Sequence, residues 1–302
     1  MGWRKAVFGA VLSAVLAVGG CSVPAGGRPA GGREDAAPPE NAAGQPNDAT
    51  GQPDVATVQP NGPTAGNPAP SRLDEVIRRG ELRVCSTGDY RPFTYRAPDG
   101  TWSGIDIDMS RDLAQELGVR ATIVPTTWSG LSRDFQQNCD IAAGGVSVTL
   151  KRAREAFFSE PYLVDGKAPI TLCANASRFG ALERIDRPGV RAVVNPGGTN
   201  EQFARKHLHR AEIRLNPDNN RIFDDIRSGR ADVMLTDATE TKWQAKQHPE
   251  LCAVHPERPL SFSEKAYLLP RGDVVFQQFV NQWLHLRTHD GTYDRITTPW
   301  IG

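Results

Sequence analysis

The sequence has no excess of charge of either sign. Lysine plus arginine number 35 and aspartate plus glutamate number 35. Nothing in that balance draws the chain to nucleic acid or to an anionic membrane surface. Cysteine is scarce, at five residues in 302, and no Cys-x-x-Cys or Cys/His cluster suggests a metal site. Among the six histidines, His207 and His209 fall on a helix-like stretch. Two-residue spacing sends them to different helix faces, which argues against zinc. No metal or organic cofactor is expected. A long apolar run is also missing. Ala6 to Val18 is the longest near the N-terminus, too short and too quickly ended for a spanning helix.

That run follows Arg4 and Lys5 and ends Val18-Gly19-Gly20-Cys21. It reads as a secretory signal over residues 1–20. Its end resembles the lipobox of bacterial lipoproteins, which implies lipidation of Cys21; the plainer alternative is an ordinary signal peptide beside a chance cysteine. Residues 22 to about 70 are nearly all Ala, Gly, Pro, Asn, Gln, Asp and Thr. A segment so poor in large apolar residues cannot offset its ordering entropy and reads as a tether, residues 21–70 in all. The expected location is the outer face of the cell membrane, with the lipid as the sole membrane contact.

From Ser71 onward, strand-like and helix-like segments alternate, which predicts an α/β fold. Helices are expected at Ser71 to Gly80, Asp106 to Leu117, Leu131 to Gln137 and from Thr149 to Phe157. Strands are expected at Leu82 to Ser86, Val119 to Val124 and Asp140 to Ala143. The pattern then restarts with strands at Pro169 to Cys173, Val190 to Val194, Glu212 to Leu215 and Ala231 to Leu235. Helices are expected at Asn219 to Arg227 and Ala238 to Gln247. A strand at Ala266 to Pro270 leads back, and a helix follows at Phe276 to Leu286 with Phe279, Val280, Trp283 and Leu286 on one face. Two α/β lobes joined by two crossing segments follow: residues 71–167 and 266–302 form the first, 168–265 the second. The cleft between them is the expected small-molecule site. Cys173 and Cys252 lie near the segments that enter and leave the second lobe and are expected to form a disulfide, which leaves Cys85 and Cys139 as the remaining pair.

The most informative stretch is Asn195-Pro196-Gly197-Gly198-Thr199-Asn200-Glu201. An apolar strand ends there in a glycine turn and a helix opens at Thr199 or Asn200. Free N–H groups at a helix start suit an anion. Glu201 in that first turn is either ordinary helix-dipole decoration or an acid held beside a bound substrate.

Several runs carry a resemblance. Gly88 to Phe93, Gly104 to Met109, Gly145 to Arg152, Phe158 to Tyr162 and Met234 to Asp237 resemble the amino-acid-binding branch of bacterial extracytoplasmic solute-binding proteins. The resemblance spans residue 71 to the C-terminus and implies the two-lobed, type II periplasmic-binding-protein fold. Within that group, Pro169 to Cys173, Val194 to Ala204, His248 to Pro256 and Glu264 to Pro270 look like the periplasmic cyclohexadienyl dehydratases. Those enzymes convert prephenate to phenylpyruvate and arogenate to phenylalanine. The tail after Thr288 and the tether depart from that family.

The resemblance assigns roles. Arg152, with a guanidinium fork suited to carboxylates, becomes a substrate ligand and not merely a surface cation, with Ser147 sharing the carboxylate. Thr199 and Asn200 would hold it from the other lobe. Tyr90 and Trp128 follow strand ends and either wall the substrate ring or pack at the rim. Asp237 matches the acid that takes the ammonium in amino-acid binders, and it also stands where a helix N-cap would. Asp89 either faces the cleft or terminates its strand. Expulsion of hydroxide and carbon dioxide from a cyclohexadienol needs one general acid, and Glu201 is the residue matching it. The competing function is a lipoprotein receptor that passes an amino acid to an ABC permease.

Overall fold

The computed structural model describes residues 70–302; Cys21 and nearly all of the stretch expected to form the signal and the tether lie outside them. Local chemistry explains where elements begin and end. The first helix, Arg72–Arg79, opens on Ser71, whose hydroxyl accepts from the Leu73 N–H. Asp74 and Glu75 occupy its first turn, and Gly80 closes it at φ 71°, a left-handed conformation natural to glycine.

Two five-stranded sheets follow. In the first, Glu81–Ser86 lies between Arg120–Pro125 and Ile141–Ala142, both parallel to it. Leu268–Leu269 and then Phe157–Phe158 extend that sheet antiparallel. In the second, Arg191–Val194 lies between parallel Glu212–Leu215 and Val233–Asp237. Lys167–Leu172 pairs antiparallel with Val233–Asp237, and Leu251–Ala253 closes that edge. A short antiparallel ribbon, Leu163–Asp165 with Ser263–Lys265, carries the chain between the sheets in both directions. The fold is thus α/β and two-lobed.

Each sheet has its own core. Leu82, Val84, Ile105, Met109, Leu113, Ile141 and Leu269 are buried with Phe276, Val280 and Trp283 in the first lobe. Ala192, Val194, Ala204, Val233 and Leu235 pack on one face of the second sheet, and Ile170, Val193, Phe223, Ile226 and Met234 on the other. Burial of both faces accounts for the near-continuous apolar runs of those strands. Cys85 is bridged to Cys139 and Cys173 to Cys252, with Cα–Cα distances of 5.7 and 4.8 Å.

Two expectations need correction. The helix expected from Thr149 to Phe157 spans only Leu150–Ala153, capped by the Thr149 hydroxyl. The chain then leaves it because Phe157–Phe158 pairs with Leu268–Leu269 as a sheet edge. The helix expected at Phe276 to Leu286 is Val274–His289, and its buried stripe is Phe276, Val280, Trp283 and Leu284. Leu286 is 58% exposed. The tail adds a further helix, Thr292–Ile301, which buries Ile296 and Thr297.

Candidate functional site

The strand end Asp237, the strand start Lys167 and the ribbon end Lys265 meet in one buried cluster centred on Asp237. Its carboxylate accepts from Lys167 Nζ at 2.8 Å and Lys265 Nζ at 2.6 Å, and from the Tyr90 hydroxyl. Asp237 is 2% exposed, Lys167 4% and Lys265 0%. Burial by itself would raise the Asp237 pKa. The two ammoniums outweigh it and hold the group well below the usual carboxylate range. Although Asp237 precedes the helix Ala238–Gln247, its side chain makes no capping hydrogen bond. The ion pairs have won that competition.

Each ammonium has a full set of acceptors. Lys167 Nζ also donates to Thr199 Oγ1 at 3.0 Å and to Asn200 Oδ1. Lys265 Nζ donates also to Ser147 Oγ at 3.0 Å and Tyr90 Oη at 3.3 Å. Burial pulls the Lys167 pKa down, against the opposing pull of Asp237. Asn200 is fixed from behind, since its Nδ2 donates to Asn195 Oδ1 at 3.1 Å and Thr236 Oγ1 at 3.0 Å. Thr236 in turn donates to Glu240. Glu240 is 1% exposed, and burial pushes its pKa up to about 8, so it carries a proton at neutral pH.

Tyr90, Trp128, Ser147, Thr199, Asn200 and Asp237 line a small cavity at this point. Trp128 and Thr199 also wall a wider recess that Arg152, Gly197 and Gln202 complete. Tyr90 stacks on Phe93 at 5.2 Å and meets Trp128 edge-on at 5.5 Å. These rings are geometrically able to face a substrate ring. Arg152 is 9% exposed and donates through Nη1 to the Ser147 carbonyl at 2.9 Å. Among the described residues, no carboxylate lies within ion-pair distance of it. Burial lowers its pKa to about 10, which still leaves it charged at neutral pH. A buried guanidinium without a direct ion-pair partner and facing a cavity is suited to an incoming carboxylate.

Two expected residues stand elsewhere. Asp89 is not among the residues lining the small cavity or the recess, and it does more than end a strand. Its Oδ1 accepts from Trp128 Nε1 at 3.0 Å, and its carbonyl accepts from Asn219 Nδ2 of the other lobe at 2.8 Å. It therefore orients Trp128. Burial raises the Asp89 pKa, and the Trp128 hydrogen bond opposes that rise. Glu201 is in the first turn of the helix Thr199–His207, as expected, but its carboxylate folds back. One oxygen accepts from the Gly197 N–H at 2.7 Å and the other from Arg205 Nε at 2.8 Å. Those contacts, the Gly197 N–H foremost, lower its pKa. It lies behind the turn wall of the recess rather than on its surface.

Lys167 and Lys265 were not singled out from the sequence. Their signal is a lone lysine directly before an apolar run, as in Lys167-Ala168-Pro169-Ile170 and Lys265-Ala266-Tyr267-Leu268; Lys167 opens its strand and Lys265 closes the ribbon strand. Lysine is rarely buried without a partner, and no linear pattern shows that both lysines share one carboxylate.

Comparison with known proteins agrees with this architecture. The profile of the bacterial extracellular solute-binding proteins, family 3, matches residues 82–302. The cyclohexadienyl dehydratase of Pseudomonas aeruginosa is 53% identical over 232 residues, 76% of this chain and 86% of that protein. An ancestral amino acid-binding protein described as a precursor of cyclohexadienyl dehydratase superposes with a TM-score of 0.72. It is 35% identical and covers 77% of this chain and 100% of its own. An ancestral cyclohexadienyl dehydratase is 50% identical with a TM-score of 0.50, covering 77% of this chain and 97% of its own.

Proposed function

Because the chain belongs to the bacterial extracellular solute-binding proteins, family 3, and is 53% identical to a cyclohexadienyl dehydratase, we propose that it is an exported lyase of that kind. Its substrates are prephenate, converted to phenylpyruvate, and arogenate, converted to phenylalanine. The observation that carries this reading is the charge of the cleft. Arg152 lines the recess, Asp237 lines the small cavity, and the buried Lys167 and Lys265 share the Asp237 carboxylate. That surplus of cations fits a dicarboxylate better than a simple zwitterion.

Arg152, Ser147 and the start of the helix at Thr199 and Asn200 bind the carboxylates. Tyr90 and Trp128 flank the ring. Glu201 is the general acid. It swings off Gly197 and Arg205 toward the recess as the substrate binds, and the dicarboxylate's charge and exclusion of water raise its pKa. Its proton goes to the ring hydroxyl, whose carbon–oxygen bond breaks to release water. The ring carboxylate leaves as carbon dioxide, and its carbon–carbon bonding pair completes the aromatic ring. Glu201 regains a proton from solvent when the lobes open. Two other acids fit less well. Asp237 is held ionised, and Glu240 is sealed behind Thr236 and Asn200. No step calls for a metal or organic cofactor.

The second reading is an amino-acid receptor for an ABC permease, favoured by the likeness to an ancestral amino acid-binding protein. Incubation of the purified protein with prephenate separates the two. Appearance of phenylpyruvate absorbance supports the dehydratase. Tight amino-acid binding without turnover supports the receptor. In either case, we place the protein at the membrane through a lipid on Cys21.

A further inference from the structure

Asn219 begins the short helical turn Asn219–Arg221 of the second lobe, which the Asp218 side chain caps by accepting from the Asn220 N–H at 3.1 Å. It is 1% exposed and lines the small cavity. Its Nδ2 crosses to the first lobe and donates to the Asp89 carbonyl at 2.8 Å. A carbonyl oxygen only accepts, so that bond fixes which branch of the amide is nitrogen. The other branch, Oδ1, is buried, and among the described residues no group donates to it. A buried acceptor left in that state costs free energy, which a ligand's donor would recover.

Its neighbours in the cavity wall are already engaged. The side-chain oxygens of Tyr90, Ser147 and Asp237 accept from Lys265. Those of Thr199 and Asn200 accept from Lys167, and that of Asn195 accepts from Asn200. Among the described residues lining the small cavity, Asn219 Oδ1 is thus the one side-chain oxygen with no donor. Prephenate has a single donor to offer. Its carboxylates and keto oxygen only accept, and its ring hydroxyl alone carries a hydrogen on oxygen. Arogenate bears the same hydroxyl on the same ring carbon. Gly198 and Thr199 also line this cavity, so a hydroxyl held there lies against the turn that carries Glu201.

We propose that Asn219 Oδ1 accepts the hydrogen bond of the substrate's ring hydroxyl and so holds the leaving oxygen toward the acid. Asn219 neither gives nor takes a proton. The hydroxyl keeps its own hydrogen, its oxygen takes the acid's proton, and the carbon–oxygen bond breaks with the departing water still bonded to Oδ1. Because Nδ2 of the same amide holds Asp89 of the other lobe, closure of the lobes is what sets Oδ1 in place. This rests on the dehydratase reading for its substrates.

Two ring-saturated analogues of prephenate, one with the hydroxyl and one with hydrogen in its place, cannot become aromatic. Calorimetric titration therefore reads their binding without turnover. The hydroxyl analogue is expected to bind the unmutated protein more tightly by roughly 10-fold, the order set by pairing a buried acceptor. In Asn219→Ala the two analogues are expected to bind alike, and kcat/KM for prephenate to fall by a similar factor. If Asn219 only ties the lobes together through Asp89, the variant weakens both analogues equally and their ratio stays, which overturns the proposal. Equal binding of the two by the unmutated protein overturns it as well, as does binding of neither. If Asn219→Ala does not fold, Asn219→Leu, closer in volume, is read in its place. A ratio that collapses in the variant while the unmutated protein fails to turn over prephenate removes the dehydratase reading alone and leaves Asn219 as the ligand of the hydroxyl.

Discussion

Glu240 lines neither the small cavity nor the recess, yet it fixes the chain Thr236–Asn200–Lys167 that ends on Asp237. Its folded-state pKa of about 8 stands well above its ordinary 4.5. The folded protein therefore keeps a proton that the unfolded chain has released. The resulting stability is fully present below pH 4.5, falls as pH rises toward 8, and is lost above it. The slope between those limits is about 1.4 kcal/mol per pH unit for one proton. Glu240→Gln keeps the acceptor for Thr236 and removes the titration. Denaturant melts at several pH values should then show a flatter decline between about pH 5 and 8 for the variant. Parallel curves would mean that Glu240 ionises normally in the fold. At this scale, the residues legible in the sequence were those at turns, strand ends and helix starts: Tyr90, Trp128, Ser147, Arg152, Thr199, Asn200 and Asp237. Their place along the chain carries the signal. The two lysines and Glu240 were not legible, because their meaning lies in a three-dimensional sharing of charge.

The turn between Val194 and Thr199 brings the lobes together. Gly197 has φ 82°, and a Cβ there would come within 2.7 Å of Ser129 Cβ in the other lobe. Glycine is required twice over, once by the left-handed backbone and once by the closed cleft. Gly197→Ala should lose about 1–2 kcal/mol of stability from the backbone conformation alone. Its larger effect should be on closure, since opening the cleft relieves the clash with Ser129. The KM for prephenate should rise about 10-fold or more, because a cleft held slightly open misplaces the groups that grip the substrate. The drop in melting temperature should be small. An unchanged KM would show that the lobes do not approach this closely around substrate. Glycine turn, strand and helix start are all legible in Asn195 to Glu201, because each local rule points the same way. The run from Thr149 to Phe157 misled for the opposite reason. Thr149 caps a helix, but Phe157 and Phe158 gain more as a sheet edge packed near the core than as further helical turns.

Across the whole chain, the alternation of elements revealed two α/β lobes, because strands buried on both faces leave long apolar runs. The helix after Gly291 was not legible, and it covers part of the first lobe's core with Ile296. Membership of an extracellular family accords with export. The residues before Pro70 bear on where the protein works. If Cys21 carries the lipid, Cys21→Ser should move the protein from the membrane fraction to the soluble exported fraction. Equal retention of the variant would place the anchor elsewhere.

One measurement bears most directly on the chemistry: the steady-state rate of phenylpyruvate formation from prephenate by the purified protein and by Glu201→Gln. The unmutated protein should form phenylpyruvate. The variant keeps one acceptor for the Gly197 N–H, gives up the Arg205 ion pair at the exposed side and loses the acid, and it should be slower by roughly 10²-fold or more, the usual worth of general acid catalysis. Absence of phenylpyruvate from the unmutated protein would contradict the dehydratase. An equal rate in the variant would contradict Glu201 as its acid.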